Sequence, residues 1–183
     1  MTRLTVIAGP TAVGKGTVVR WILEHHPEIK VSVSATTRAP RPGEVDGDHY
    51  FFVSDEQFDS MIEKGELLEY AQVHQKHRYG TPRKPVEQAL LANQQIILEI
   101  DVQGARQIKE SMSSANLIFI APPNWEELRR RLEHRGTETP EQVEIRLETA
   151  KSELEAAAEF DHTVINHEVA QCGQQVLDLM QAS

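Results

Sequence analysis

The chain has 183 residues, enough for one domain with a small insertion and enough to bury a core without disulfides or a structural metal. Nineteen lysines and arginines against twenty-eight aspartates and glutamates leave a formal charge of −9, which argues against a general nucleic-acid binder with its basic footprint. The single cysteine, Cys172, excludes an internal disulfide, and no apolar run approaches the ~20 residues needed to span a membrane.

Leu4 to Ala8 is a short, β-branched apolar run ending at a glycine, the pattern of a buried strand. It is too short for the apolar core of a signal peptide, so a cytoplasmic protein is expected. Gly16 to His25 places Val18, Val19, Ile22 and Leu23 at helical spacing, and Val31 to Ser34 reads as a second strand. From Arg38 to Asp48 the chain is turn-rich. Tyr50 to Val53 follows, then a helix opened by Ser54-Asp55-Glu56-Gln57, a capping box. Leu67 to Val73 reads as a strand, and Thr81 as the start of a helix with Pro82 in its first turn.

Beyond Leu91 the alternation of strand and helix returns. Gln95–Ile100, Leu117–Ile120 and Thr163–Ile165 read as strands. Gln103–Glu110, Asn124–His134, Thr139–Ala158 and Val169–Met180 read as helices, with Thr139-Pro140-Glu141-Gln142 a second capping box. Such alternation predicts a parallel sheet covered on both faces. The core is expected at about 1–34 and 89–183, with an insertion at about 35–88. Glu141, Glu144, Glu148, Glu153 and Glu155 read as the solvated face of the long helix.

Gly9-Pro10-Thr11-Ala12-Val13-Gly14-Lys15 lies between the first strand and the first helix, the context a phosphate loop requires. Glycines let backbone N–H groups turn toward phosphate oxygens, the helix adds its positive end, and Lys15 adds a full charge. The residue after the lysine is usually Ser or Thr, whose hydroxyl helps hold Mg²⁺. Here it is Gly16, and the first hydroxyl comes at Thr17; this Gly-Lys-Gly-Thr sequence looks like the version found in adenylate kinases.

The insertion separates the phosphate-loop families. Ser34-Ala35-Thr36-Thr37-Arg38-Ala39-Pro40-Arg41-Pro42-Gly43-Glu44, Asp46-Gly47-Asp48-His49-Tyr50, Gly65-Glu66-Leu67-Leu68-Glu69 and Tyr79-Gly80-Thr81 resemble the GMP-binding domain of guanylate kinases. The resemblance continues through Asp101-Val102-Gln103-Gly104 and Arg131-Leu132-Glu133-His134-Arg135-Gly136-Thr137, and so covers the whole chain. It implies a three-layer α/β sandwich around a five-stranded parallel sheet, an inserted α+β subdomain that binds GMP, and a short lid at about 135–142. The implied reaction moves the γ-phosphoryl group of ATP to GMP, giving ADP and GDP, with Mg²⁺ as cofactor.

The resemblance assigns Gly9 to Thr17, with Asn166, to ATP. Arg38, Arg41, Tyr50 and Tyr79 go to the GMP phosphate, and Ser34, Glu69 and Thr81 to the guanine edge, with Asp101 nearby. Lys15, Arg38, Arg131, Arg135 and Arg146 are implied as catalytic cations, and Thr17 and Asp101 as holders of the metal. The chemistry agrees: guanidinium forks match phosphate oxygens, and a carboxylate offers two adjacent acceptors to the N1–H and N2 amino group of guanine. Asp101 at a strand end has a second reading as a helix N-cap, and both can hold. Glu99 shares its side of the strand and could assist. Two competing readings are a non-catalytic module that binds protein partners, and another nucleoside monophosphate kinase. His74 and His77 form H-x-x-H with no third ligand at recognised metal spacing, and Cys172 reads as packing.

Overall fold

A computed structural model describes residues 3–73, 77–134 and 140–182. Strand β1 (Leu4–Ala8) is buried along its whole length and runs into a loop and helix α1 (Lys15–His25). Strand β2 (Lys30–Val31) leads into a second, smaller sheet built from β3 (Ala35–Thr36), β4 (Phe51–Phe52), β5 (Leu67–Val73) and β6 (His77–Pro82). Helix α2 (Asp55–Glu63) packs within that unit, and α3 (Arg83–Leu91) returns the chain to the core. The rest alternates: β7 (Ile96–Glu99), α4 (Val102–Ser111), β8 (Asn116–Ala121), α5 (Trp125–Glu133), α6 (Pro140–Glu155), β9 (His162–Ile165) and α7 (Val169–Ala182).

The core sheet has the order β2-β7-β1-β8-β9, with all five strands parallel. Its two faces follow from the period-2 alternation of side chains. Leu4, Val6 and Ala8 of β1, with Leu98 and Leu117 of its neighbours, pack against Ala105 and Ile108 of α4 and Val86 of α3. Ile7, Ile97, Ile118 and Ile120 point the other way, onto Val18 and Ile22 of α1, Leu128 and Leu132 of α5 and Val176 of α7. The result is the three-layer sandwich expected from the alternation of elements.

The insertion has its own small core of Ala35, Phe58 and Leu67 under a sheet of order β4-β3-β6-β5. The Ser54 capping box forms as read: Gln57 N–H donates to Ser54 Oγ at 3.2 Å and Ser54 N–H to Gln57 Oε1 at 2.8 Å. Asn124 likewise caps α5 by accepting from Glu127 N–H at 2.8 Å.

Three local expectations change. The strand expected over 31–34 ends at Val31; Ser34 has already crossed to the small sheet, where its carbonyl accepts from Phe51 N–H at 2.9 Å. Thr81 and Pro82 close β6 instead of opening a helix, because Thr81 pairs with Glu69 and Pro82 with Leu67. Pro82 becomes the N-cap of α3 at φ −58°, ψ 127°. The long helix ends at Glu155 and continues as a 3-10 turn over Ala156–Glu159. The Thr139 capping box lies outside the described residues.

Candidate active site

Parallel strands deliver their loops to one edge of the sheet, so ligands gather beyond the carboxyl ends of the strands. A cleft of about 700 Å³ opens there, between the β1–α1 loop, the end of β7, the insertion and the first turns of α6.

The β1–α1 loop is held in a conformation that needs glycine. Gly9 has φ +148°, and a Cβ there would run into the Ile120 carbonyl of β8. Gly14 stands at the N-cap of α1, so the positive end of that helix faces the cleft with no side chain in the way. Lys15 folds over the loop, its Nζ donating to the carbonyls of Gly9 at 2.6 Å and Pro10 at 3.2 Å. Behind the loop, Asn166 at the end of β9 donates Nδ2 to the Val13 carbonyl at 2.8 Å. Arg131 of α5 joins this brace: Nη1 donates to the same Val13 carbonyl at 3.2 Å and Nη2 to the Asn166 carbonyl at 3.2 Å. Glu127 holds Arg131 in turn at 2.8 Å, and its carboxyl is pulled down to about 2 by Arg130 first and Arg131 second.

Across the cleft, the antiparallel pairing of β5 and β6 sets Glu69 opposite Thr81. Thr81 Oγ1 donates to Glu69 Oε1 at 2.6 Å, and Glu69 is only 3% exposed. Burial pushes its carboxyl up to about 7, opposed by the Thr81 hydroxyl and reinforced by Asp101. A carboxyl so deeply placed has to be met by donors, and Ser34 also lines this end of the cleft. Gly104 makes the arrangement possible, because a Cβ there would overlap Glu69 Oε2. Gly104→Ala is expected to displace the Glu69 carboxylate and raise the KM of whatever ligand that carboxylate meets about tenfold or more, while costing roughly 1–3 kcal/mol of stability. Steady-state kinetics and a thermal melt read the two effects separately.

Arg38, Arg41, Tyr50 and Tyr79 line the same cavity. Arg38 Nε donates to the Tyr79 hydroxyl at 3.3 Å, and its guanidinium lies 5.3 Å from the Tyr50 ring centroid. Burial raises the Tyr50 phenol further above its ordinary value, so it stays a neutral donor. Asp101 closes the floor: it caps α4 by accepting from Gly104 N–H at 2.7 Å, and burial raises its carboxyl. The cap reading is met, and the same residue lines the cleft. Arg146 of α6 completes the rim. Arg135 and His74 lie outside the described residues. Cys172 is buried in α7 with its thiol pushed up to about 11 by burial, which leaves it inert.

Two cleft residues, Glu153 and Arg20, escape a linear reading. Glu153 belongs by spacing to an acidic stripe on α6, yet it lies seven residues from Arg146 and turns inward with it, unlike the exposed Glu141, Glu144, Glu148 and Glu155. Its Oε2 is buried with no hydrogen-bond partner among the described residues, and burial raises its carboxyl to about 6. Arg20, one helical turn past Gly16, also lines the cleft, as does Glu99. Glu99 is raised by burial and held back by Lys15 and then Arg20. Its carboxylate lies 3.4 Å from where a side chain on Gly16 would begin. Glu99, Asp101 and the Thr17 hydroxyl thus present hard oxygen donors in one cleft, a set that suits Mg²⁺ completed by phosphate and water oxygens.

A glycine-built phosphate loop at the first strand of a parallel sheet, facing an inserted subdomain with a buried carboxylate and cationic forks, defines a phosphate-loop protein made to hold two anionic ligands in one cleft. The guanylate kinase family model matches residues 1–183, and the chain belongs to that family. A guanylate kinase of Leifsonia xyli subsp. xyli is 60% identical over 177 residues, covering 97% of this chain and 70% of that protein. One from Streptomyces kasugaensis is 56% identical over 178 residues, covering 97% and 86%. The crystal structure of guanylate kinase from Anaplasma phagocytophilum superposes with a TM-score of 0.82 at 33% identity, covering 98% of this chain and 84% of that one.

Proposed function

We propose that the cleft transfers the γ-phosphoryl group of ATP to GMP in a single in-line step, with ATP on the β1–α1 loop and GMP on the insertion. The chain is an ATP-dependent kinase of GMP that yields ADP and GDP. The observation that carries the assignment of sites is their continuity: Lys15 and Glu69 line one cavity, so two nucleotides held at its ends would bring their phosphates together between them.

In this reading the backbone of Gly9 to Thr17 wraps the ATP phosphates and Lys15 leaves the Gly9 and Pro10 carbonyls to meet the β- and γ-phosphates. Arg131 and Asn166 hold Val13 so that the loop keeps its shape, and Asn166 would also contact the adenine of ATP. Arg38, Arg41, Tyr50 and Tyr79 bind the GMP phosphate. Glu69 accepts from N1–H and the N2 amino group of guanine, with Ser34, Thr81 and Asp101 around it. Phosphoryl transfer asks for alignment and for positive charge on the moving group, with little need of a protein base. Arg146, with Arg135 from the lid, supplies that charge as α6 closes. Thr17 and Asp101, assisted by Glu99, would hold Mg²⁺, which would supply positive charge to offset that of the phosphates. Gly16 brings no hydroxyl to that task, and the Glu99 carboxylate beside it supplies the nearest protein oxygen of the β7 end.

Among the described residues no helix is long and apolar enough to cross a membrane. Both substrates are cytoplasmic metabolites, and that is the compartment we assign.

The test is ADP release with Mg-ATP and GMP, AMP, CMP or UMP in turn. Turnover with GMP alone supports the guanine role of Glu69; turnover with AMP removes it. Binding of GMP by folded protein without turnover would make the cleft a recognition module.

A further inference from the structure

Glu44 is a carboxylate to which the phosphoryl-transfer reading gives no part, yet it sits on one of the residues assigned to the GMP phosphate. Its Oε1 accepts from Arg38 Nη2 at 2.8 Å and its Oε2 from Nη1 at 2.9 Å, a two-pronged pair. Oε2 accepts in addition from the Arg41 backbone N–H at 2.7 Å, so one carboxylate orients the Arg38 side chain and the Arg41 main chain together. The pair is not a surface ornament: the two side chains are 10% and 16% exposed. The hydrogen bonds from Arg38, opposed by burial and helped by the Arg41 backbone, lower the Glu44 carboxyl, and the same pair keeps Arg38 protonated.

A guanidinium has five N–H donors. Glu44 takes two, the Ala39 carbonyl takes one at 2.8 Å and the Tyr79 hydroxyl takes Nε at 3.3 Å. Among the described residues this leaves the second hydrogen of Nη2, on the guanidinium edge that also carries Nε. Arg38 and Tyr79 both line the cleft. The rings of Tyr50 and Phe52 lie 5.3 and 5.8 Å from the guanidinium carbon, a partly desolvated setting in which a cation without a counter-ion would swing toward water.

We propose that Glu44 is a positioning residue for GMP: by clamping one edge of Arg38 and the backbone of Arg41, it turns the remaining Arg38 edge toward the nucleotide phosphate. The inference rests on the reading of Arg38 as a phosphate ligand. The clamp puts a negative charge near an incoming dianion, and the opposing idea is a carboxylate that merely occupies the fork until GMP displaces it. The shared hold on Arg41, and the Nη2 hydrogen left uncommitted among the described residues beside Tyr79, favour positioning.

The experiment compares wild type, Glu44→Gln, Glu44→Asp, Arg38→Met and the Arg38→Met/Glu44→Gln double variant. It measures kcat, the KM values for GMP and ATP, inhibition by guanosine and thermal melting. Glu44→Gln is expected to raise the GMP KM about tenfold or more with kcat at saturation within about threefold. The ATP KM and inhibition by guanosine, which has no phosphate, should stay at wild-type values. Glu44→Asp keeps the charge and should recover part of the loss, and Arg38→Met should mask the part of the Glu44→Gln effect that runs through Arg38, leaving only what the Arg41 backbone contact carries. An unchanged or lowered GMP KM in Glu44→Gln overturns the proposal, as does an equal weakening of guanosine, which would mark a structural role. If Arg38→Met itself leaves the GMP KM alone, the phosphate reading of Arg38 fails, and this inference with it. A shifted Arg38→Met beside an unshifted Glu44→Gln sinks the inference alone.

Discussion

Lys15→Met is expected to lower turnover by about a thousandfold or more and to leave the protein folded. The side chain begins α1 and its ammonium group makes two bonds to loop carbonyls, Gly9 at 2.6 Å and Pro10 at 3.2 Å. Losing those bonds costs on the order of 1–3 kcal/mol, and methionine is a good helix former with a similar apolar stem. The core below the loop rests on Val13, Val18 and Ile22, which the change does not touch. In the proposed reading, turnover depends on the full positive charge that the ammonium brings to the moving phosphoryl group. Removing a single preorganised donor from such a site costs about a hundred- to a thousandfold, and the charge adds to that. Circular dichroism and a melting curve establish the fold, and single-turnover kinetics the chemical step. A folded variant that keeps a tenth of the wild-type rate would mean that the transfer charge comes from elsewhere, Arg146 first.

The second large effect is at the other end of the cleft. Glu69→Gln is expected to lower kcat/KM for GMP about a hundredfold while leaving the ATP KM within about twofold. Glutamine keeps an oxygen for the Thr81 hydroxyl but replaces the second acceptor with an amino group. That group would face a guanine donor with no partner for either, in a site where burial makes an unpaired polar group costly. An equal loss for both substrates would take Glu69 out of the base site.

The same substitution has a signature in pH. Burial raises the Glu69 carboxyl from its ordinary value to about 7, so the fold opposes its ionisation. A raised carboxyl contributes a stability that is fully present below the ordinary carboxylate range and is lost as pH rises through about 7. Above that pH the buried charge costs on the order of 3 kcal/mol. The empty wild-type protein should therefore lose stability between about pH 4.5 and 7, and Glu69→Gln should lack that slope and melt higher at about pH 8. Guanine binding runs the other way, because its donors want the ionised carboxylate. Inhibition by guanosine should strengthen as pH rises from about 5 to 8 in the wild type and stay flat in the variant.

Much of the molecule could be read along the chain because its signals are local. The β1–α1 loop needs glycines at Gly9 and Gly14 for reasons of backbone geometry, and the lysine that follows is fixed in place by the start of α1. The caps at Ser54, Asp101 and Asn124 are contacts over three residues and formed as their spacing foretold. The alternation of apolar strands and amphipathic helices carried the layer order, since a strand buried on both faces has to be covered on both faces.

What the chain order concealed was each choice that depends on a partner far away. Thr81 and Pro82 look like a helix start until Glu69 and Leu67 come alongside them as a strand. Glu153 looks solvated until α6 lies across the β1–α1 loop and turns it inward with Arg146. Arg131 reads as one more cation for a phosphate, and the chain order gives no sign that it also donates to the carbonyls of Val13 and Asn166, from opposite ends of the chain.

By itself, then, the sequence determined the glycine loop, the layered α/β core and the break in alternation that marks the insertion, because hydrophobic period, glycine geometry and capping act over a few residues. Tertiary structure alone decided which carboxylates are buried and raised, which arginines face the cleft and which are clamped elsewhere. Burial and pairing are set by groups brought together across 35 to 153 positions of chain, as in the Arg131–Asn166 and Val13–Asn166 contacts, and no local pattern encodes them.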